Sequence, residues 1–137
     1  METDETIKKG FLRLERYAQN IPGGFHCCAE DPENGYPFAY VSDRFLEILG
    51  WEREEFAARF DNRYTALIHP DDLAAGLRYR NAENSATYAK NGDSIFRLLG
   101  KNGYRWVTNA ANQVEWYGKG YIVGTITDIT PYMELRE

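Results

Sequence analysis

The chain has 137 residues, 43% hydrophobic and 27% charged, a formal net charge of −5, and 15% aromatics in the form of ten Tyr, seven Phe and three Trp. That length fits one domain with a proper core. The acidic balance without a basic run speaks against a nucleic-acid surface, and no apolar stretch approaches the roughly 18 residues of a membrane-spanning helix.

The first ten residues, METDETIKKG, lack the apolar segment of a secretory signal. Residues 5–19 place Ile7, Phe11, Leu14 and Ala18 at helical spacing, with Lys8, Lys9, Arg13, Glu15 and Arg16 on the other face. Such a stripe is buried on the domain's own sheet or against a second copy, and a homodimer with this helix at the interface is expected. The run from Asn20 to Gly24 ends the helix.

GFHCCAE (24–30) alternates as a short strand, with Phe25, Cys27 and Ala29 on one face and His26, Cys28 and Glu30 on the other. The adjacent Cys27 and Cys28 suit neither a CxxC metal site nor an unstrained disulfide, so reduced thiols in a cytoplasmic protein are expected. After a turn at 31–37, FAYVS (38–42) completes a hairpin. Ser42 caps a helix over 43–49 that Gly50 terminates. A second helix covers 52–60, a helical turn lies in 64–72, and Pro70 with Asp71 and Asp72 starts a helix over about 70–88 carrying Leu73, Leu77 and Tyr88.

Three strands close the chain: 94–100, a Lys101-Asn102-Gly103 turn, 104–117, a Gly118-Lys119-Gly120 turn, and 121–129. Strands at both ends with helices between them predict an α+β domain: one five-stranded antiparallel sheet, first and last strands adjacent at its centre, short helices on one face and a flanking N-terminal helix. On the long strand, Trp106, Thr108, Ala110 and Asn112 share one face and Val107, Asn109, Ala111 and Gln113 the other. Either face can be the inner one, because a one-residue bulge exchanges them. There is no glycine-rich phosphate loop, HExxH, GxSxG or clustered metal-ligand set, so no catalytic residues and no metal are assigned. The acidic pairs Glu54-Glu55 and Asp71-Asp72 read as solvated.

Four stretches in order, PGGFHC (22–27), FAYVSDRFLEILGW (38–51), LIHPDD (67–72) and KNGYRWV…GTITDIT (101–130), resemble a PAS domain of the bacterial PAS fold-3 type. The resemblance implies a PAS domain over 21–130, a flanking helix over 1–20 and the start of a linker helix at 131–137. It implies a sensory or dimerisation module, not itself an enzyme, with a C-terminal effector in cis such as a GGDEF diguanylate cyclase or a histidine kinase. The family's ligand cavity lies between sheet and helices, which here gives Tyr40, Phe45, Leu49, Leu67, Ile68, Leu73, Leu77, Phe96, Leu98, Trp106 and Ile126 as candidate lining, or as plain core. The residues name no particular ligand. Haem-binding members use a histidine, but His69 reads as an exposed helix-start residue and His26 has no partner in the sequence. Flavin photosensors carry a cysteine on a helix after the short helices, where this chain has none. Neither haem nor flavin is expected.

In such domains Asp-Ile-Thr marks the end of the last strand. Asp128 needs a partner, either Arg105 or the backbone amides near Asn102 and Gly103. Thr130 is expected to cap the outgoing helix that Pro131 begins. Arg105, Asp128 and Thr130 are therefore the expected signal relay, with an alternative role for Asp128 as a simple strand terminator.

Overall fold

The computed structural model describes residues 5–6, 8–10, 13, 23–77 and 94–135. The described positions before residue 14 are helical. Ile7, Phe11, Leu14 and Ala18 lie outside the described residues, as does the part of the expected 70–88 helix beyond residue 77.

In chain order, β1 (Gly24–Ala29) leads through a 3-10 turn (Pro32–Asn34) to β2 (Phe38–Val41). Helices α1 (Asp43–Leu49), α2 (Arg53–Arg59) and α3 (Tyr64–Leu67) follow, then a 3-10 turn (Pro70–Asp72) and α4 (Leu73–Gly76). A meander of β3 (Ser94–Gly100), β4 (Gly103–Trp116) and β5 (Lys119–Asp128) precedes α5 (Thr130–Leu135). The five strands form one sheet in the order β2-β1-β5-β4-β3, with antiparallel neighbours throughout. The first and last strands meet at its centre, as the sequence pattern predicts.

Local chemistry sets the helix ends. Ser42 Oγ accepts from Phe45 N (3.2 Å) and also from Phe25 N (3.0 Å), so one hydroxyl caps α1 and ties it to β1. Gly50 ends α1 in the left-handed region, at φ 82°. Glu52 N donates to Glu55 Oε1 (3.3 Å) at the start of α2.

The helices pack on one face of the sheet around a buried cluster that includes Phe45, Leu46, Leu49, Phe56, Phe60, Tyr64, Leu67, Phe96, Leu98, Val107 and Ile126. A smaller cluster on the opposite face joins Cys27, Ala29 and Tyr121. Cys27 and Cys28 are both buried, form no disulfide, and belong to the two different clusters.

Both edges of the sheet are bonded to neighbouring segments. On β2, Phe38 N donates to Asn62 O (3.1 Å), Asn62 Nδ2 donates to Phe38 O (2.9 Å), and Arg53 Nη1 donates to Val41 O (3.1 Å). On β3, His69 N donates to Arg97 O (3.0 Å), Arg97 N donates to Asp72 Oδ2 (2.9 Å), and Trp51 Nε1 donates to Leu99 O (2.9 Å).

α1 approaches β1 so closely that a Cβ on Gly24 would stand 2.5 Å from Phe45 Cα and 2.7 Å from Phe45 N. Those are backbone atoms and cannot swing aside. Gly24→Ala is expected to lower stability by roughly 1–3 kcal/mol through forced separation of α1 from the sheet, measured by denaturant unfolding against the wild-type chain.

Candidate functional site

Seven of the expected lining residues converge on the inner face. Phe45 and Leu49 come from α1, Leu67 and Ile68 from α3 and its end, Phe96 and Leu98 from β3, and Ile126 from β5, all within the main buried cluster. Leu77 packs at its margin.

Three expected lining residues lie elsewhere. β1 and β2 shift register between Cys27 and Cys28, so that Cys27 faces Tyr40 and Cys28 faces Phe38, leaving Ala39 as the extra residue. Directly paired residues share a face, so Tyr40 goes with Cys27 to the outer side. Leu73 is 38% exposed. That segment turns Ala75 and Gly76 inward instead, where a Cβ on Gly76 would stand 2.8 Å from Ile68 Cδ1, while Asp72 is held at the edge of β3 by Arg97. Trp106 points outward because Val107, Asn109 and Ala111 are the fully buried face of β4. It pairs across the strands with Arg97, whose guanidinium lies 4.9 Å from the indole centroid.

That orientation of β4 brings together two polar side chains that sequence reasoning left apart. His26 Nε2 donates to Asn109 Oδ1 (2.9 Å) across the inner face, and both residues are fully buried. An amide oxygen accepts only, so the proton sits on Nε2 and Nδ1 is a bare acceptor. Nδ1 has no hydrogen-bond partner among the described residues, and neither has Ser94 Oγ, on the residue that faces Asn109 from β3. The His26 ring lies between Tyr64 and Phe45, with centroids 5.3 and 5.6 Å away. Burial pulls its pKa down from 6.5 to about 4, against the opposing effect of the Asn109 bond.

The bridge depends on a missing side chain. β5 runs between His26 and Asn109, and Gly124 lies beneath their contact. A Cβ there would stand 2.6 Å from both Asn109 Oδ1 and His26 Nε2. A glycine inside a strand is a readable mark of close approach, and with Gly124 facing His26 it was the available signal for this pair. Beside the bridge lies a cavity of about 10 Å³, lined by Cys28, Tyr36, Tyr64, Gly76, Leu77, Asn109 and Ile122. That is about the room one water needs.

At the far end of β5 the expected relay residues are in contact. Arg105 Nη2 donates to Asp128 Oδ2 (2.7 Å), and Thr130 N donates to Asp128 Oδ1 (3.0 Å). Burial pushes the Asp128 pKa up, but the bonds from Arg105 and Thr130 outweigh it and the net direction is down. Arg105 Nε is buried without a partner among the described residues. Thr130 does something other than the expected capping: its Oγ1 accepts from Trp106 N (2.8 Å), and Ile129 N donates to Trp106 O (2.8 Å). Asp128 caps the turn, while Thr130 fastens the start of α5 to β4.

The remaining singled-out residues have structural partners. His69 Nδ1 accepts from Asp71 N (3.1 Å), and its ring lies 4.7 Å from Tyr104. It caps a turn, as expected, but is only partly exposed. Burial pushes the Cys28 thiol well above the usual range, with Cys27 and Glu30 adding to the shift. Among the described residues, no group of His, Cys, Asp and Glu could hold a metal ion, and no helix is long and apolar enough to cross a membrane.

The lowered His26 pKa sets the sign of an acid effect. The unfolded chain takes up a proton near 6.5 and the folded chain near 4, so stability is full above about 6.5 and falls as pH drops toward 4. The loss for this group is expected to be about 2 kcal/mol at pH 5 and about 3 kcal/mol at pH 4. Tyr64 and Cys28, which face the same interior, stay uncharged in that window because burial raises both. Denaturant unfolding at pH 7 and pH 5 should show the drop in wild type and a smaller one in His26→Gln.

Comparison with known proteins agrees with this geometry. Among solved structures, the chain is similar to a sensory box histidine kinase/response regulator from Burkholderia thailandensis E264, at 22% identity and TM-score 0.55, covering 90% of this chain and 89% of that one. It is similar to the LOV domain of a blue-light activated histidine kinase from Erythrobacter litoralis EL346, at 16% identity and TM-score 0.53, covering 81% and 98%. The PAS domain of the fruit-fly ELK potassium channel matches at 16% identity and TM-score 0.53, covering 88% and 97%. Such identities speak to the fold. Among curated proteins, none matches at a significant level. The model of the PAS fold family matches residues 38–126, from the edge strand through the central one. With that match and the β2-β1-β5-β4-β3 sheet, the chain belongs to the PAS fold family.

Proposed function

We propose that this PAS domain is a non-catalytic sensory module of a cytoplasmic signalling protein, acting as a homodimer and passing its state to an effector joined after α5. The observation that carries this is the junction at Asp128. One carboxylate receives Arg105 from β4 and the backbone of Thr130 from α5, so the outgoing helix starts from a fixed point on the sheet. A shift of β4 against β5 changes that point, which gives a two-state element that a ligand on the inner face can bias. The histidine kinase among the similar structures favours a kinase as the effector, with a GGDEF cyclase as the other candidate.

A second reading, a ligand-free relay module, is favoured by the close-packed cluster around Phe45, Phe96 and Leu98. In either case we expect neither haem nor a photoadduct-forming flavin as the cofactor. His26 is engaged with Asn109, His69 with Asp71, and both cysteines lie on β1.

Four measurements test the proposal. Asp128→Ala should lower the domain's stability by roughly 1.5–3 kcal/mol, because Arg105 is left half-buried and unpaired. The same change should uncouple effector output in the full-length protein; unchanged output makes Asp128 a strand terminator. Native mass spectrometry with an absorbance spectrum should give a dimer, colourless above the aromatic band. A Soret peak or flavin band at near-stoichiometric level rejects the cofactor assignment, and a monomer rejects the dimer.

A further inference from the structure

Tyr36 packs at the margin of the main buried cluster and combines three features. Its backbone is in the left-handed region at φ 56°, directly after Gly35 at φ 72°. Bulky residues seldom stay there unless the surroundings hold them, and such strain collects at clamps and switches. Its side chain lines the cavity beneath Cys28. Of the residues around that cavity, Cys28, Tyr64, Gly76, Asn109 and Ile122 are buried, whereas Tyr36 and Leu77 reach the surface.

The two tyrosines of the cavity are held differently. Tyr64 is fully buried and its hydroxyl donates to Gly76 O (3.2 Å). The Tyr36 hydroxyl makes no hydrogen bond among the described residues; its loop is held through the backbone, Tyr36 N donating to Asp31 O (3.0 Å) and Tyr64 N to Tyr36 O (3.4 Å). One aromatic wall is fixed, and the other is strained and unlatched.

We propose that Tyr36 is a gate: relaxation of residue 36 to a negative φ swings its ring from the mouth of the cavity and admits small neutral solutes from the β1–β2 side. Neutral solutes are the class that fits, because the walls are aromatic, aliphatic, thiol and amide groups with no charged side chain among them. The gate deepens the sensory reading by assigning a route to the inner face, and rests on that reading for its biological use.

The adjacent cysteines supply the test. Cys28 lines the cavity and Cys27 points to the other face of the same strand, so Cys27 is an internal control for general opening. The intact chain is exposed to iodoacetamide, a small neutral reagent, and alkylation at each thiol is followed by tandem mass spectrometry. In Tyr36→Gly, which suits a positive φ, Cys28 should react on the order of tenfold faster than in wild type while Cys27 does not change. Tyr36→Asn, which also tolerates that backbone, should show the same selectivity and decides the matter if the glycine variant folds poorly. Tyr36→Phe, which keeps the ring, should match wild type. Unchanged Cys28 reactivity, equal acceleration of both thiols, or acceleration in Tyr36→Phe overturns the gate. Since effector output is not read, failure here leaves the relay standing, and failure of the relay leaves the gate.

Discussion

The pairing of β1 with β5 is the constraint on which the rest of the molecule depends. These strands lie far apart in sequence and side by side at the centre of the sheet, in register from Gly24 opposite Ile126 to Ala29 opposite Tyr121. β2, β3 and β4, which lie between them in the chain, extend the sheet on either side, and the short helices that join β2 to β3 pack together on one face of it. β5 pairs on its other side with β4, which brings its last residue, Asp128, opposite Val107, where the outgoing helix is fastened. A long closure of this kind is formed against chain entropy, and the burial of Phe45, Phe96, Leu98 and Ile126 offsets that cost.

At that centre, small and polar residues act together. Gly24 lets α1 lie on β1, and Gly124 lets His26 cross β5 to reach Asn109. The histidine is neutral because its surroundings are apolar, so the bond is one between uncharged groups in a low-dielectric interior. Such a bond specifies register: sliding β1 by one residue against β5 would turn His26 to the other face and bring Cys27 in its place. A single polar pair in an apolar cluster thereby discriminates against neighbouring alignments that hydrophobic packing tolerates.

Much of the fold is legible in the sequence because its signals are local and agree with one another. Ser42 and Gly50 bracket α1, the Lys101-Asn102-Gly103 turn sets the β3–β4 hairpin, and alternation along β1 assigns Cys27 and Cys28 to opposite faces. The contact of Arg105 with Asp128 is legible in part: a carboxylate at a strand end needs a partner and Arg105 is one of two candidates, but the amide that Asp128 also receives is that of Thr130, not one near Asn102 or Gly103. What is not legible depends on one-residue geometry or on distance. Tyr40 was displaced by a bulge at Ala39, which the hydrophobic pattern does not mark. Trp106 could be placed only once the inner face of β4 was known. Leu73 lies outward, beside Asp72, which Arg97 holds at the β3 edge, and its helix closes on Ile68 through Gly76. The bond between His26 and Asn109 spans 83 positions, and periodicity carries no information at that separation.

The bonded sheet edges have a further consequence. An open strand edge is a template for another chain, the starting point of strand exchange and of fibrous aggregation. Here β2 is four residues long, bulged, preceded by Pro37 and occupied by Asn62 and Arg53, while β3 is occupied by His69, Asp72 and Trp51. Those backbone groups are already satisfied, so a second chain gains little by aligning along those stretches of the two edges. A module of this build can be joined to many different neighbours in one long polypeptide without its strands recruiting theirs.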